Sequence, residues 1–112
     1  MSTKLGRQAE QAVCNWLIRQ SFEIIATNWR TRYCEIDIIA KRSNKLYFVE
    51  VKYRGSSRFG GGLEYITPRK QNQMAFSADI FEAKYSTRLQ RIICAVSVGP
   101  NFEVEEYVEI EV

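Results

Sequence analysis

At 112 residues, 46% hydrophobic and 26% charged, the chain has the make-up of an ordinary globular domain, which excludes disorder and collagen-like repeats. Its 16 basic and 13 acidic residues leave a net charge of +3, and it has no histidine. That excludes Ser-His and Cys-His nucleophile pairs, an imidazole base and a His-containing zinc site.

The first predicted element is a helix. Ala9, Ala12, Val13, Trp16 and Leu17 recur at helical spacing as one apolar stripe, with Glu10 at its border. Met1-Ser2-Thr3-Lys4 leads into this helix rather than a signal peptide, and no apolar run approaches the ~20 residues of a bilayer span. A cytoplasmic protein without membrane contact is expected. A strand follows over Phe22–Arg30. Two stronger strand candidates, Tyr33–Lys41 and Leu46–Arg54, flank the polar stretch Arg42-Ser43-Asn44-Lys45 and predict a hairpin.

Residues 55–62, Gly-Ser-Ser-Arg-Phe-Gly-Gly-Gly, have the composition of a flexible loop. They lack the spacing and the Gly-Lys-Ser/Thr ending of a phosphate-binding loop. Thr67-Pro68 then starts a second helix, with Thr as N-cap and Pro at the first helical position. Its stripe is Met74, Ala78, Phe81 and Tyr85. Arg88–Val98 is a predicted buried strand and Gly99-Pro100-Asn101 a turn. Val104–Val112 is a last strand with Val108, Ile110 and Val112 inward. The order is αβββαβ plus an extra C-terminal strand, an α/β class, and nothing divides residues 1–112 into more than one domain.

Cys14, Cys34 and Cys94 are odd in number and far apart, which fits neither a disulfide framework nor paired zinc ligands. They read as reduced apolar fillers. Residues 1–100 carry a net +8 and residues 101–112 a net −5. A basic body with an acidic end fits a polyanionic partner, and equally a solvated surface.

The hairpin carries the chemistry. If it turns symmetrically about Ser43-Asn44, Arg42 faces Lys45, Asp37 faces Glu50 and Glu35 faces Lys52. The two-residue period puts Glu35, Asp37, Glu50 and Lys52 on the face of Ile39, Leu46 and Phe48. Two acids opposed at the edge of an apolar face repel unless a cation lies between them or one is protonated. Mg²⁺ (or Mn²⁺) suits the first case: it takes hard oxygen ligands, one or two carboxylates, and substrate phosphate. Asp37 and Glu50 are the candidate ligands, with the Val51 carbonyl beside them, and Lys52 would stabilise charge on a phosphodiester under attack.

The triplet Glu50-Val51-Lys52 alone is weak, since Glu82-Ala83-Lys84 repeats its pattern. That copy falls in the second helix, where residues two apart do not face each other. A set of cross-strand salt bridges, Glu35–Lys52 with Asp37 and Glu50 taken by arginines, is the competing account.

Gly6-Arg7-Gln8-Ala9-Glu10, Asn28-Trp29-Arg30, Glu35-Ile36-Asp37-Ile38-Ile39 and Phe48-Val49-Glu50-Val51-Lys52-Tyr53-Arg54 together resemble the YraN-like family. These are small bacterial proteins related to PD-(D/E)XK nucleases and archaeal Holliday junction resolvases. The resemblance runs from Gly6 to about Lys70. It implies a restriction-endonuclease-like αβββαβ core, a mixed central sheet flanked by helices. It further implies Asp37 and Glu50 as metal ligands, Lys52 as catalytic lysine, Glu10 as an additional catalytic acid, and Lys70 at a position where the family usually has lysine. Cys34 and Ala9 stand where that family usually has glycine, and its later Arg-Phe-Asp stretch is absent.

The expected function is Mg²⁺-dependent cleavage of phosphodiester bonds in DNA rather than RNA, with branched or repair intermediates as candidate substrates. Arg30, Arg32, Arg54, Arg58, Arg69 and Lys70 flank the site in sequence and are the expected nucleic-acid contacts. A non-cleaving nucleic-acid-binding module and a protein-interaction domain are the alternatives. A homodimer would supply the surface that a branched substrate needs.

Overall fold

The computed structural model describes residues 3–55 and 66–110. Helix α1 (Lys4–Arg19) begins where Thr3, in extended conformation, accepts from the Gly6 amide at 2.9 Å. It buries Ala9, Val13, Cys14 and Leu17. Strand β1 (Glu23–Arg30) pairs antiparallel with β2 (Glu35–Arg42), and β2 pairs antiparallel with β3 (Lys45–Tyr53). Ser43 and Asn44 join the last two with φ of 52° and 61°. Both lie in the left-handed region that a two-residue hairpin turn demands. Arg42 faces Lys45 across it, the symmetric register expected from the sequence.

Helix α2 (Pro68–Tyr85) starts at the expected cap, with Thr67 Oγ1 accepting from the Lys70 amide at 3.1 Å. The chain crosses over to β4 (Gln90–Val98), which runs parallel to β3, and ends in β5 (Val104–Ile110), antiparallel to β4. The described residues thus form a mixed sheet in the order β1-β2-β3-β4-β5 with two helices, an αβββαβ core plus a C-terminal strand. None of these helices is long and apolar enough to cross a membrane.

Two apolar cores follow from the alternation of the central strands. Ile38, Ala40, Tyr47 and Val49 pack with Val13 and Leu17 of α1, while Ile39, Leu46 and Phe48 pack with Met74, Ala78 and Phe81 of α2. Phe48 has no exposure and meets Phe81 edge-on at 5.8 Å. Phe48→Ala is expected to cost about 3–5 kcal/mol in a denaturant titration, because neighbours on two elements cannot close the gap.

Two expectations are corrected. Val108 is 40% exposed, while Val104 and Tyr107 pack on the α1 side and Ile110 on the α2 side. A register shift beside Ser97 and Val98 puts Val104 on the face of Tyr107, while Val108 keeps the face of Ile110 and is left exposed on this edge strand. Val112 lies outside the described residues. Tyr85, at the end of α2, is 54% exposed and leans on Phe81, whereas Ser77 of the same helix is fully buried. The glycine-rich run beyond Gly55, with Arg58, also lies outside the described residues.

Candidate functional site

The ladder between β2 and β3 pairs Ile38 with Val49 and goes no further, although both strands continue. In this fork the Val51 amide donates to Asp37 Oδ2 at 2.7 Å. A carboxylate thus takes the place of a backbone acceptor. The alternation of β2 slips at the same point: Ile36 joins Ile39 in the α2-side core, while Ile38 faces α1. The four hairpin residues therefore do not all share the face of Ile39, as strict alternation had them. Asp37 sits in the slip, 9% exposed.

Asp37 is the common member of two groupings. Carboxylate oxygens of Glu10, Glu35 and Asp37, one from each, lie within 4.8 Å of one another. Glu10 comes from α1, and Asn28 Nδ2 donates to its Oε1 at 2.9 Å. Asn28 has φ 50°, a left-handed conformation that Asn tolerates better than most residues. In the second grouping, Asp37 and Glu50 are close enough for each carboxyl to act on the other. Burial first, and then repulsion from Glu50, push the Asp37 carboxyl up to about 8. Burial also raises Glu50, against the opposing pull of Lys70, whose Nζ is 3.5 Å from Glu50 Oε2.

Glu50 Oε1 is buried and has no hydrogen-bond partner among the described residues. Lys52 follows on β3, exposed, and its charge also favours the ionised form of Glu50. Four acids from three elements, one buried oxygen unsatisfied and one carboxyl driven to hold its proton, are a donor set suited to a hard divalent cation. Val51 contributes its amide to this arrangement, which fixes Asp37.

The structure adds Glu35 to the cluster, which the sequence placed only opposite Lys52. Arg30 Nη2 binds Glu35 Oε2 at 2.8 Å. Asn28 was also missed as a partner of Glu10, and an Asn interrupting an apolar strand was its signal. Of the expected nucleic-acid contacts, Lys70 reaches Glu50, Arg69 is exposed on the first turn of α2, and Arg54 follows β3 with its amide bound to the Val98 carbonyl at 2.7 Å.

Arg30 and Arg32 line a shallow cleft of about 230 Å³ with Thr31, Tyr33, Cys34 and Glu35. The turn behind it is tied down: the Thr31 amide donates to the Cys34 carbonyl at 3.0 Å, and Thr31 Oγ1 lies 2.7 Å from the buried Ser77 Oγ. All three cysteines are free, with Cys14 and Cys94 buried as apolar fillers.

A family model described as "Uncharacterised protein family UPF0102" matches residues 9–98. A UPF0102 protein of Acinetobacter baumannii is 39% identical over 85 residues, 76% of this chain and 64% of the relative. Another from Desulforapulum autotrophicum is 45% identical over 78 residues, 70% of this chain and 64% of that protein. One from Prosthecochloris aestuarii is 46% identical over 77 residues, 69% and 61% of the two. The chain thus spans less than two thirds of the length of these relatives.

Proposed function

The chain belongs to the uncharacterised family UPF0102, the YraN family, and we propose that it is a divalent-ion-dependent nuclease that hydrolyses phosphodiester bonds in DNA. One observation carries this reading: Asp37, held in the fork between β2 and β3, is clustered with Glu10 and Glu35 on one side and interacts with Glu50 on the other, and Lys52 acts on Glu50.

Asp37, Glu10, Glu35 and Glu50 would hold Mg²⁺ or Mn²⁺. A cation there supplies positive charge for the phosphodiester and lowers the pKa of a water. Asn28 and the Val51 amide orient two of the carboxylates, which limits the reorganisation needed on binding. Glu10 and Glu35 border clefts of about 170 and 230 Å³, so the acids can be reached from outside. Lys52 would stabilise the charge that develops on the phosphoryl oxygens, and Arg32 and Arg69 would meet flanking phosphates.

The ion pairs Arg30–Glu35 and Lys70–Glu50 favour a second reading, a binding module of the same fold without turnover. In that reading the protein's own cations serve the acids permanently.

Calorimetric titration of Mg²⁺ and Mn²⁺ into wild type and Asp37→Asn separates the two. Saturable binding in wild type that falls at least about tenfold in the variant is expected, together with DNA cleavage that the variant lacks. DNA binding with neither ion binding nor products would leave the second reading.

A further inference from the structure

Tyr33 and Phe76 form a solvent-facing aromatic pair, 37% and 52% exposed, with ring centroids 5.3 Å apart and planes tilted by 35°. Exposed aromatics ordinarily reduce their contact with water by folding onto the surface. Here the turn from Thr31 to Cys34 holds Tyr33 up: its amide donates to Thr31 Oγ1 at 3.0 Å, and Thr31 is pinned to Ser77 of α2, one residue after Phe76. The Arg32 guanidinium lies over the Tyr33 ring at 5.2 Å and donates to its hydroxyl at 3.2 Å. Tyr33 also lines the cleft that contains Arg30 and Glu35. Glu35 belongs to both the cleft and the carboxylate cluster, so the rings stand beside the site rather than elsewhere on the surface.

We propose that Tyr33 and Phe76 are a stacking platform for an unpaired base, and that the substrates of the site are nucleic acids with unpaired nucleotides. The proposal rests on the nuclease reading and specifies its substrate class. Two rings bordered by arginines suit a π-face attached to a phosphate chain; a protein surface would call for a broader apolar area. Phe76, the more exposed ring, offers the freer face. A base inside a duplex is already stacked on its neighbours and cannot lie on these rings. A single strand, flap or branch point presents one that can, with its phosphates directed to Arg30 and Arg32.

The test is fluorescence anisotropy in Ca²⁺ with a labelled 20-nucleotide single strand and the matching blunt duplex, alongside Mg²⁺ calorimetry. Wild type is expected to prefer the single strand. Phe76→Ala and Tyr33→Leu are each expected to weaken single-strand binding by roughly 10-fold, with little change for the duplex. Phe76→Tyr should retain affinity and Mg²⁺ binding should be intact in all three, outcomes that general damage to the fold does not produce. Quenching of 2-aminopurine in the strand, lost in the two truncating variants, would report the stacking directly. Unchanged single-strand affinity in both variants would overturn the platform and leave the nuclease reading standing. Failure of wild type to bind either nucleic acid would overturn both.

Discussion

Lys52→Ala is expected to slow phosphodiester cleavage by about 10²–10³-fold while divalent-ion affinity stays within a few fold. Lys52 lies two residues beyond Glu50 on the same strand, at the open end of the fork, and is exposed. Its ammonium acts on Glu50 but is no ligand for a cation. In the proposed nuclease, losing it would therefore remove positive charge where the phosphoryl group gains negative charge, and leave the acids in place. The loss should fall on kcat rather than KM, since charge that develops only in the transition state is what the lysine meets. Single-turnover cleavage of a saturating labelled strand measures this. An unchanged rate would remove Lys52 from the chemistry; a loss confined to KM would make it a phosphate contact.

Raising the pH from about 4 to about 8 is expected to destabilise the ion-free protein, by about 1.4 kcal/mol per pH unit for the Asp37 proton alone. Burial and the neighbouring Glu50 lift Asp37 from an ordinary 3.8 to about 8. Across that window the folded chain keeps a proton that the unfolded chain has lost. The contribution is therefore complete below the lower value and gone above the upper one. Glu50, also raised by burial, adds to the same slope. Asp37→Asn should flatten the slope and make the ion-free protein more stable than wild type at pH 8. A bound cation should act in the opposite sense, because both carboxyls must ionise to hold it. Divalent-ion affinity is accordingly expected to climb about tenfold per pH unit for each proton released, up to about pH 8. Urea titrations at pH 5 to 9, with and without Mg²⁺, measure both effects. Stability that rises with pH in the ion-free protein would contradict the placement of Asp37.

What the sequence made legible is what local chemistry determines. The turn residues Ser43 and Asn44 set the hairpin register, and Thr67-Pro68 set the start of α2, because each depends on neighbours only. Asp37 and Glu50 could be paired before any coordinates for the same reason. The slip at Asp37 was hidden, since two-residue periodicity has no means of showing where a ladder ends and a side chain enters the gap. The ion pair of Glu35 with Arg30 was not legible, because Arg30 comes from β1, across a turn whose shape depends on Ser77 of a distant helix. The exposure of Val108 was hidden likewise, because two-residue alternation does not show how much of an edge strand's face the helices leave uncovered.

The turn at Ser43-Asn44 is roughly 20 Å of strand from Asp37, yet it acts as a ruler for the acids. One residue inserted there would offset β2 against β3 by a single step, so Asp37 would no longer meet Glu50. No ionisable group need change for this to happen. An inventory of acids would pass such a variant as competent, and the length of the hairpin would identify it as inert.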